Sequence, residues 1–140
     1  MGKIYTAMGL MSSTSLDGVD VSIIESDGNK EYSPILDSYF QYDGELTQKI
    51  LKLRQKISNY DELNRHSEDV KFLERELTLF HANAVNKTLQ KTNLNVDVIG
   101  FHGQTIFHDS NKKISKQLGD GKLLSQLTKK KLYIILGKMI

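Results

Sequence analysis

Hydroxyl and carboxylate side chains are concentrated between residues 12 and 20. Four consecutive hydroxyl residues, Ser12, Ser13, Thr14 and Ser15, are followed by Leu16, Asp17, Gly18, Val19 and Asp20. Successive backbone N–H groups in a tight turn form an anion-binding concavity, and a glycine lets phosphate oxygens approach the backbone closely. A carboxylate beside phosphate needs a cation between them, and Asp17 or Asp20 could hold Mg²⁺ through its water shell. The same residue types also suit a polar hairpin loop with Asp-Gly as its turn, so both interpretations stay open on composition alone.

A histidine at the end of a short apolar run is the second candidate for chemistry. Val96, Val98, Ile99 and Phe101 predict a buried strand that ends at His102-Gly103. Side chains that follow a strand are well placed to contact a substrate, because loops held by a rigid sheet carry many binding residues. The alternative is a turn histidine that bonds only the backbone.

Three strands are expected to come first and to position the polar loop. They run from Ile4 to Met11, from Val19 to Ile24 and from Tyr32 to Tyr42, with turn residues between them. Pro34 lacks a backbone N–H, so it is expected at the start or on the edge of the third strand. The chain therefore opens as a predicted three-stranded meander.

Two helices are predicted next. The first spans Glu45 to Ile57, and Asp61 is a plausible N-cap for a longer second helix. Residues of the second helix recur at alternating spacings of three and four: Leu63, His66, Val70, Leu73, Leu77, Phe80 and Ala84. This face is widened by Phe72, Leu79, Val85 and Leu89. A wide face favours packing on a sheet over a coiled coil, and His66 is expected to be a core histidine.

The remaining elements complete an α/β pattern. A short strand from Ile114 to Leu118, a short helix from Leu123 to Thr128 and a strand from Leu132 to Leu136 are expected. The order β-β-β-α-β-α-β, with one short extra strand, predicts a ribonuclease-H-like mixed sheet, a core that actin, sugar kinases and many nucleases share. Fold alone does not select among these functions. A two-metal nuclease needs an acidic residue on the first strand, and Ile4 to Met11 contains none.

Composition narrows the class of protein. The chain has 140 residues, of which 39% are hydrophobic and 26% charged, and it has no cysteine. These values predict one soluble domain in a reducing cytoplasm, without a membrane helix or a secretory leader. The lysine groups at 112–116 and 129–131 lack interleaved aromatic residues, so we expect solvated lysines and no nucleic-acid partner.

Three ordered segments resemble one family of sugar kinases. Residues 9–24, GLMSSTSLDGVDVSII, resemble the N-terminal signature of the anhydro-N-acetylmuramic acid kinase family, Gly-x-Met-Ser-Gly-Thr-Ser-x-Asp-Gly-x-Asp. Residues 100–108, GFHGQTIFH, resemble its His-Gly-Gln-Thr segment. Residues 117–128, QLGDGKLLSQLT, resemble its Gln-Ile-Gly-Asp segment with the helix that follows.

The resemblance implies a specific reaction. The family uses ATP to phosphorylate the 6-oxygen of 1,6-anhydro-N-acetylmuramic acid and opens the anhydro ring with water, in cell-wall recycling. It implies that Ser13 to Asp20 cradle the ATP phosphates, with Mg²⁺ as the cation, and it leaves the metal ligands unassigned. The sugar cleft would be lined by His102, Gly103, Gln104 and Thr105. The resemblance also implies the N-terminal lobe of the actin and sugar-kinase superfamily, and a homodimer for the complete enzyme.

Two departures from the family pattern shape the expectation for this chain. Ser13 stands where the family usually has glycine, which would cost about 1 kcal/mol or more if that position needs a positive φ. The family's Asp-Phe-Arg segment, whose aspartate acts as the catalytic base, has no counterpart in the printed sequence. We therefore predict no catalytic residue here, an incomplete N-terminal kinase lobe over residues 1–131 and a frameshifted tail over 132–140. An inactive truncated remnant or pseudogene product is the alternative function.

Overall fold

A mixed sheet forms the centre of the computed structural model, which describes residues 3–12 and 15–134. The central five-stranded sheet has the order β3-β2-β1-β4-β7. Its strands are β1 (Tyr5–Ser12), β2 (Gly18–Ser26), β3 (Tyr32–Gln41), β4 (Val98–Phe101) and β7 (Leu132–Ile134). The strands β1, β2 and β3 are antiparallel neighbours, whereas β4 runs parallel to both β1 and β7.

Four helices and a small hairpin are described around this sheet. The helices are α1 (Gly44–Lys56), α2 (Tyr60–Arg65), α3 (Ser67–Gln90) and α4 (Gly121–Thr128). The hairpin consists of β5 (Gln104–Asp109) and β6 (Ile114–Leu118), which pair with each other as a separate two-stranded sheet. Fully buried side chains from the sheet and the helices, among them Met8, Ile23, Ile50, Leu77 and Phe101, make one core.

The opening meander and the mixed sheet were predicted correctly. Pro34 lies on β3, which is an edge strand of the sheet, as expected for a residue without a backbone N–H. It stands opposite Ile24, where the register between β2 and β3 shifts. The predicted last strand is present as Leu132–Ile134, and residues 135 and 136 lie outside the described part of the chain.

The predicted long second helix is wrong in its start. The N-cap is Asn59, whose side chain accepts a hydrogen bond from the Glu62 N–H at 2.9 Å, and Asp61 lies inside the first turn of α2. The helical run is then interrupted at His66, and α3 begins at Ser67. Both Asn and Asp are good N-caps, so residue type could not separate two candidates that are two positions apart.

The predicted core role of His66 is also wrong. Its side chain is 23% exposed and faces the carboxylates of Glu62 and Asp69 at 3.5 and 3.9 Å. The apolar face of α3 is narrower than predicted, because Phe72 and Leu79 are 65% and 42% exposed. Burial follows the stripe that contains Val70, Leu73, Leu77, Ala84 and Val85.

The strand β5 was not predicted. Its hairpin turn is closed by the Asp109 carboxylate, which accepts hydrogen bonds from the N–H groups of Asn111 and Lys112 at 3.0 and 3.3 Å. Asp-Ser-Asn is ordinary turn chemistry. The predicted strand Ile114–Leu118 is confirmed, and its partner is the segment that directly follows Gly103.

Candidate ligand-binding edge of the sheet

The three parallel strands of the central sheet end at a common edge. The last described residues of these strands are Ser12 in β1, Phe101 in β4 and Ile134 in β7. Ligands of open α/β sheets bind where parallel strands end. We call this region, residues 12, 15–20 and 102–104, the carboxyl edge. The sequence-predicted residues Ser13 and Thr14 lie outside the described part of the chain.

Leu16 anchors the loop that leads into β2. Its φ is 63°, a left-handed conformation that costs an ordinary L-residue about 1–2 kcal/mol. The side chain is buried in the core, and burial of a leucine returns about 1.5–3 kcal/mol. Thr47 donates a hydrogen bond to the Leu16 carbonyl at 3.1 Å. The loop is thus held from α1 and from the core.

Gly18 is required by the neighbouring strand. A Cβ at this position would lie 2.3 Å from the Phe40 carbonyl oxygen and 2.9 Å from the Gln41 Cα. Both are backbone atoms of β3, which cannot move without breaking the ladder. The glycine that the sequence associates with phosphate approach is therefore explained by strand packing, and the next residue, Val19, is fully buried.

Asp17 and Asp20 bring negative charge to the carboxyl edge. Both are exposed, and the Ser15 hydroxyl donates a hydrogen bond to the Asp17 carboxylate at 2.6 Å. Desolvation, reinforced by the two carboxylates, raises the pKa of Tyr39. Within the described ranges, no group of three His, Asp or Glu side chains is arranged to hold a metal ion. A cation here would be shared between these carboxylates, phosphate and water.

His102 and Gly103 form the turn between β4 and β5. The His102 Nδ1 lies 3.3 Å from the Gly103 carbonyl oxygen, and the ring is half-buried. Gly103 has a φ of 81°, and a Cβ there would lie 2.2 Å from the Leu118 carbonyl oxygen. The backbone contact expected of a turn histidine is present, and the half-buried ring leaves a contact with a ligand open.

Gln104 and Thr105 point to different surroundings. Gln104 is buried, and its Oε1 accepts a hydrogen bond from the Tyr42 hydroxyl at 3.2 Å. The Thr105 carbonyl accepts a hydrogen bond from Arg54 at 2.8 Å. Thr105 also lines a surface cavity of about 370 Å³ together with Arg54 and His108. Gln104 is therefore held from the interior of the protein, whereas Thr105 lies beside a cavity next to α1.

Two buried side chains that were not predicted as site residues, His81 and Tyr42, contact the Ser12 hydroxyl at the carboxyl edge. The His81 Nε2 lies 3.0 Å from the Ser12 Oγ, and its Nδ1 lies 2.8 Å from the Leu77 carbonyl oxygen. The Tyr42 hydroxyl lies 3.1 Å from the same Ser12 Oγ. Burial lowers the pKa of His81 to about 4, and burial raises the pKa of Tyr42 to about 12. Both groups are neutral at pH 7.

A row of three polar residues on α3 holds two segments, residues 119–120 and the end of β1, at the carboxyl edge. The Glu74 carboxylate accepts a hydrogen bond from the Gly119 N–H at 3.1 Å, and the Thr78 hydroxyl accepts one from the Asp120 N–H at 3.0 Å. With His81, these residues are spaced by four and three positions, which places them on one helix face. This row could have been predicted from the sequence, because its polar residues recur at helical spacing beside the apolar stripe of α3.

Asp120 caps α4 at the end of the Gly-Asp segment. Its carboxylate accepts a hydrogen bond from the Leu123 N–H at 3.0 Å. We expect Asp120→Ala to lower the free energy of unfolding by about 1 kcal/mol because this N-cap is lost. Asp120→Asn keeps an acceptor and should stay close to the parent. Urea denaturation of both variants would measure this, and equal stability of the two would contradict the capping role.

No helix within the described ranges is long and apolar enough to cross a membrane. The sequence model of the family described as anhydro-N-acetylmuramic acid kinase matches residues 5–134. The chain is 53% identical over 130 residues to the anhydro-N-acetylmuramic acid kinase of Pelagibacter ubique. The aligned region covers 93% of this chain and 35% of that protein.

Two further relatives are covered to the same share of their own length. The proteins of the same name from Agrobacterium fabrum and Rhizobium etli are 40% and 38% identical over 134 and 133 residues, 91% of this chain and 35% of each relative. The chain thus spans about 35% of the length of these curated relatives. Since the family match extends over nearly the whole chain, the chain belongs to the anhydro-N-acetylmuramic acid kinase family.

Proposed function

We propose that this chain forms the part of an ATP-dependent anhydro-N-acetylmuramic acid kinase that holds the ATP phosphates and one wall of the sugar site. The reaction would transfer the γ-phosphoryl group to the 6-oxygen of 1,6-anhydro-N-acetylmuramic acid. Water would add at the anomeric carbon and open the anhydro ring, giving N-acetylmuramic acid 6-phosphate for cell-wall recycling. We place this reaction in the cytoplasm and, in the complete enzyme, in a homodimer.

One observation carries the proposal. The polar loop after β1 and the histidine segment after β4 lie at the ends of adjacent parallel strands, which is where open sheets bind ligands. The arrangement supports a ribonuclease-H-like lobe of the actin and sugar-kinase superfamily. A phosphoryl donor and its acceptor must meet in one cleft, and these two segments offer surfaces for both.

The nucleotide half of the proposal assigns residues 13–20 to ATP and its Mg²⁺. The backbone of this segment would contact phosphate oxygens, with Leu16 and Gly18 fixing its path. Asp17 and Asp20 are exposed carboxylates within this segment, so they would face the Mg²⁺ that accompanies the phosphates. The cation supplies charge neutralisation of the transferring phosphoryl group.

The sugar half assigns His102 to Thr105. His102 is half-buried at the edge, so its ring can form hydrogen bonds to a sugar hydroxyl. Gly103 and Gln104 are buried, and we propose that they shape the segment from within, through the turn and through the bond to Tyr42. Thr105 would contact the sugar from the side of α1.

A chimeric enzyme tests the proposal. Residues 5–134 would replace the matched region of the Pelagibacter ubique kinase, and phosphorylation of 1,6-anhydro-N-acetylmuramic acid by Mg·ATP would be assayed. We expect activity in the chimera, and a loss of about 10- to 100-fold in Asp17→Asn/Asp20→Asn, because charge-assisted contacts contribute about 1.5–3 kcal/mol.

Asp37→Asn is the matched control, since Asp37 is an exposed carboxylate on β3 that accepts a hydrogen bond from Ser22 at 3.0 Å. It should leave the activity unchanged. A folded chimera without activity, or a double variant as active as the Asp37 control, would contradict the proposal.

A further inference from the structure

A chain of hydrogen bonds runs from His81 to Gln104 through Ser12 and Tyr42. The donor and acceptor groups of these side chains determine which group donates at each step. A carbonyl oxygen only accepts, so the 2.8 Å contact to Leu77 places the proton of the neutral His81 ring on Nδ1. The Nε2 is then an acceptor, and its partner at 3.0 Å, the Ser12 hydroxyl, must donate. The Ser12 oxygen is left to accept from the Tyr42 hydroxyl at 3.1 Å.

Tyr42 connects these hydrogen bonds to Gln104, which belongs to the proposed sugar-binding residues 102–105. Its hydroxyl carries one proton and has two acceptors, the Ser12 Oγ at 3.1 Å and the Gln104 Oε1 at 3.2 Å. The hydroxyl therefore reaches both the last residue of β1 and the first residue of β5. Because Tyr42 has one proton to donate, a change in the hydrogen bonding of Ser12 or Gln104 alters the hydrogen bond that Tyr42 can form with the other residue.

Packing holds the two rings in place. The His81 ring meets Phe101 edge-on at 5.2 Å between centroids, and the Tyr42 ring meets Phe80 edge-on at 5.0 Å. His81 is fully buried, and Tyr42 is buried. Across residues 3–12 and 15–134, no buried side-chain nitrogen or oxygen lacks a hydrogen-bond partner. Loss of the acceptor at His81 would take away the partner to which the half-buried Ser12 hydroxyl donates.

We infer that His81 is a positioning residue that sets the direction of the His81–Ser12–Tyr42–Gln104 chain and so couples the nucleotide side of the carboxyl edge to its sugar side. The inference rests on the proposed function, which assigns those two sides. His81 contacts no ligand itself. It acts on Ser12, and through Tyr42 on Gln104.

NMR of the isotopically labelled chain tests the inference without any ligand. Long-range ¹H–¹⁵N spectra at neutral pH should show a protonated Nδ1 and an unprotonated Nε2 for His81. His81→Phe removes the acceptor while filling the space, and we expect it to shift the Ser12 amide signal and the Gln104 side-chain amide signal together. His81→Gln can offer its amide oxygen to Ser12, so it should bring both signals back toward the parent positions.

Thr88→Val is the matched control on the same helix. The Thr88 hydroxyl is buried and donates to the Ala84 carbonyl oxygen at 2.8 Å, within α3. This variant should leave the Ser12 and Gln104 signals in place. If His81→Phe does not fold, Ser12→Ala tests the chain from its other end and should shift both the His81 Nε2 and the Gln104 amide signals. A protonated Nε2, or equal effects of His81→Gln and His81→Phe, would overturn the inference.

Titration of the same samples with Mg·ATP separates this inference from the proposed function. We expect about tenfold weaker binding in His81→Phe, which is the effect of one lost hydrogen bond, and recovery to within about threefold in His81→Gln. A parent chain that does not bind Mg·ATP contradicts the proposed function, while the spectra without ligand still decide the role of His81. Equal affinities of the parent and His81→Phe would overturn the coupling to the nucleotide side.

Discussion

Alanine at Gly103 should lower the free energy of unfolding by about 2–5 kcal/mol. Two causes act together. Gly103 has a φ of 81°, which an alanine adopts only at a cost, and the new Cβ would lie 2.2 Å from the Leu118 carbonyl oxygen. That oxygen belongs to the backbone of β6, so relief of the contact requires movement of the hairpin.

Gly28→Ala separates the two causes. Gly28 also has a positive φ, 78°, but no heavy atom lies within 4 Å of its hypothetical Cβ. It should cost only the conformational part, about 1 kcal/mol. Urea denaturation with an unchanged m-value would measure both variants. Equal losses at the two positions would show that the close approach of Leu118 is not what requires glycine at 103.

Acidification from pH 7 to pH 4 should destabilise the fold by about 3 kcal/mol through His81 alone. The folded chain has a His81 pKa of about 4, lowered from the ordinary value of 6.5 by burial. The unfolded chain therefore binds the proton first as the pH falls. The stability that the neutral ring contributes is complete above pH 6.5 and is lost progressively down to the folded pKa.

Two variants isolate this effect from the titration of carboxylates. His81→Gln does not titrate, so its stability should fall less steeply than that of the parent between pH 6.5 and 4. His108→Gln removes an exposed histidine and should keep the steep dependence of the parent. Chemical denaturation across this pH range would measure all three proteins. Parallel pH profiles for the parent and His81→Gln would contradict a buried neutral His81.

Much of the fold follows from local patterns in the sequence. The alternation around Val19 to Ile24, the proline on an edge strand and the apolar spacing of α1 each correspond to the observed element. The helix start near residue 60 could not be predicted, because Asn59 and Asp61 have similar capping strength. The strand β5 could not be predicted, because its residues lie within the segment GFHGQTIFH and its pairing partner β6 follows only after a turn.

The sequence predicted the segments of the candidate site but not the side chains of other elements that support them. The motifs placed the loop after β1 and the segment after β4, but they did not show that Gly18 is needed by β3. The predicted apolar face of the second helix included His66 and left out His81, so periodicity alone pointed to the wrong histidine as the buried one. Only the packing of α3 on the sheet places His81 against Ser12 and leaves His66 among carboxylates.

Binding of a nucleotide at the carboxyl edge is the central claim, and an NMR titration of the labelled chain with Mg·ATP tests it most directly. We predict saturable shifts in the amide signals of residues 12–20 and 102–104, with a dissociation constant below about 1 mM. Asp37 and its neighbours on β3 should not respond. Shifts that do not saturate, or that centre on the exposed lysines of α1 instead of the carboxyl edge, would contradict the account.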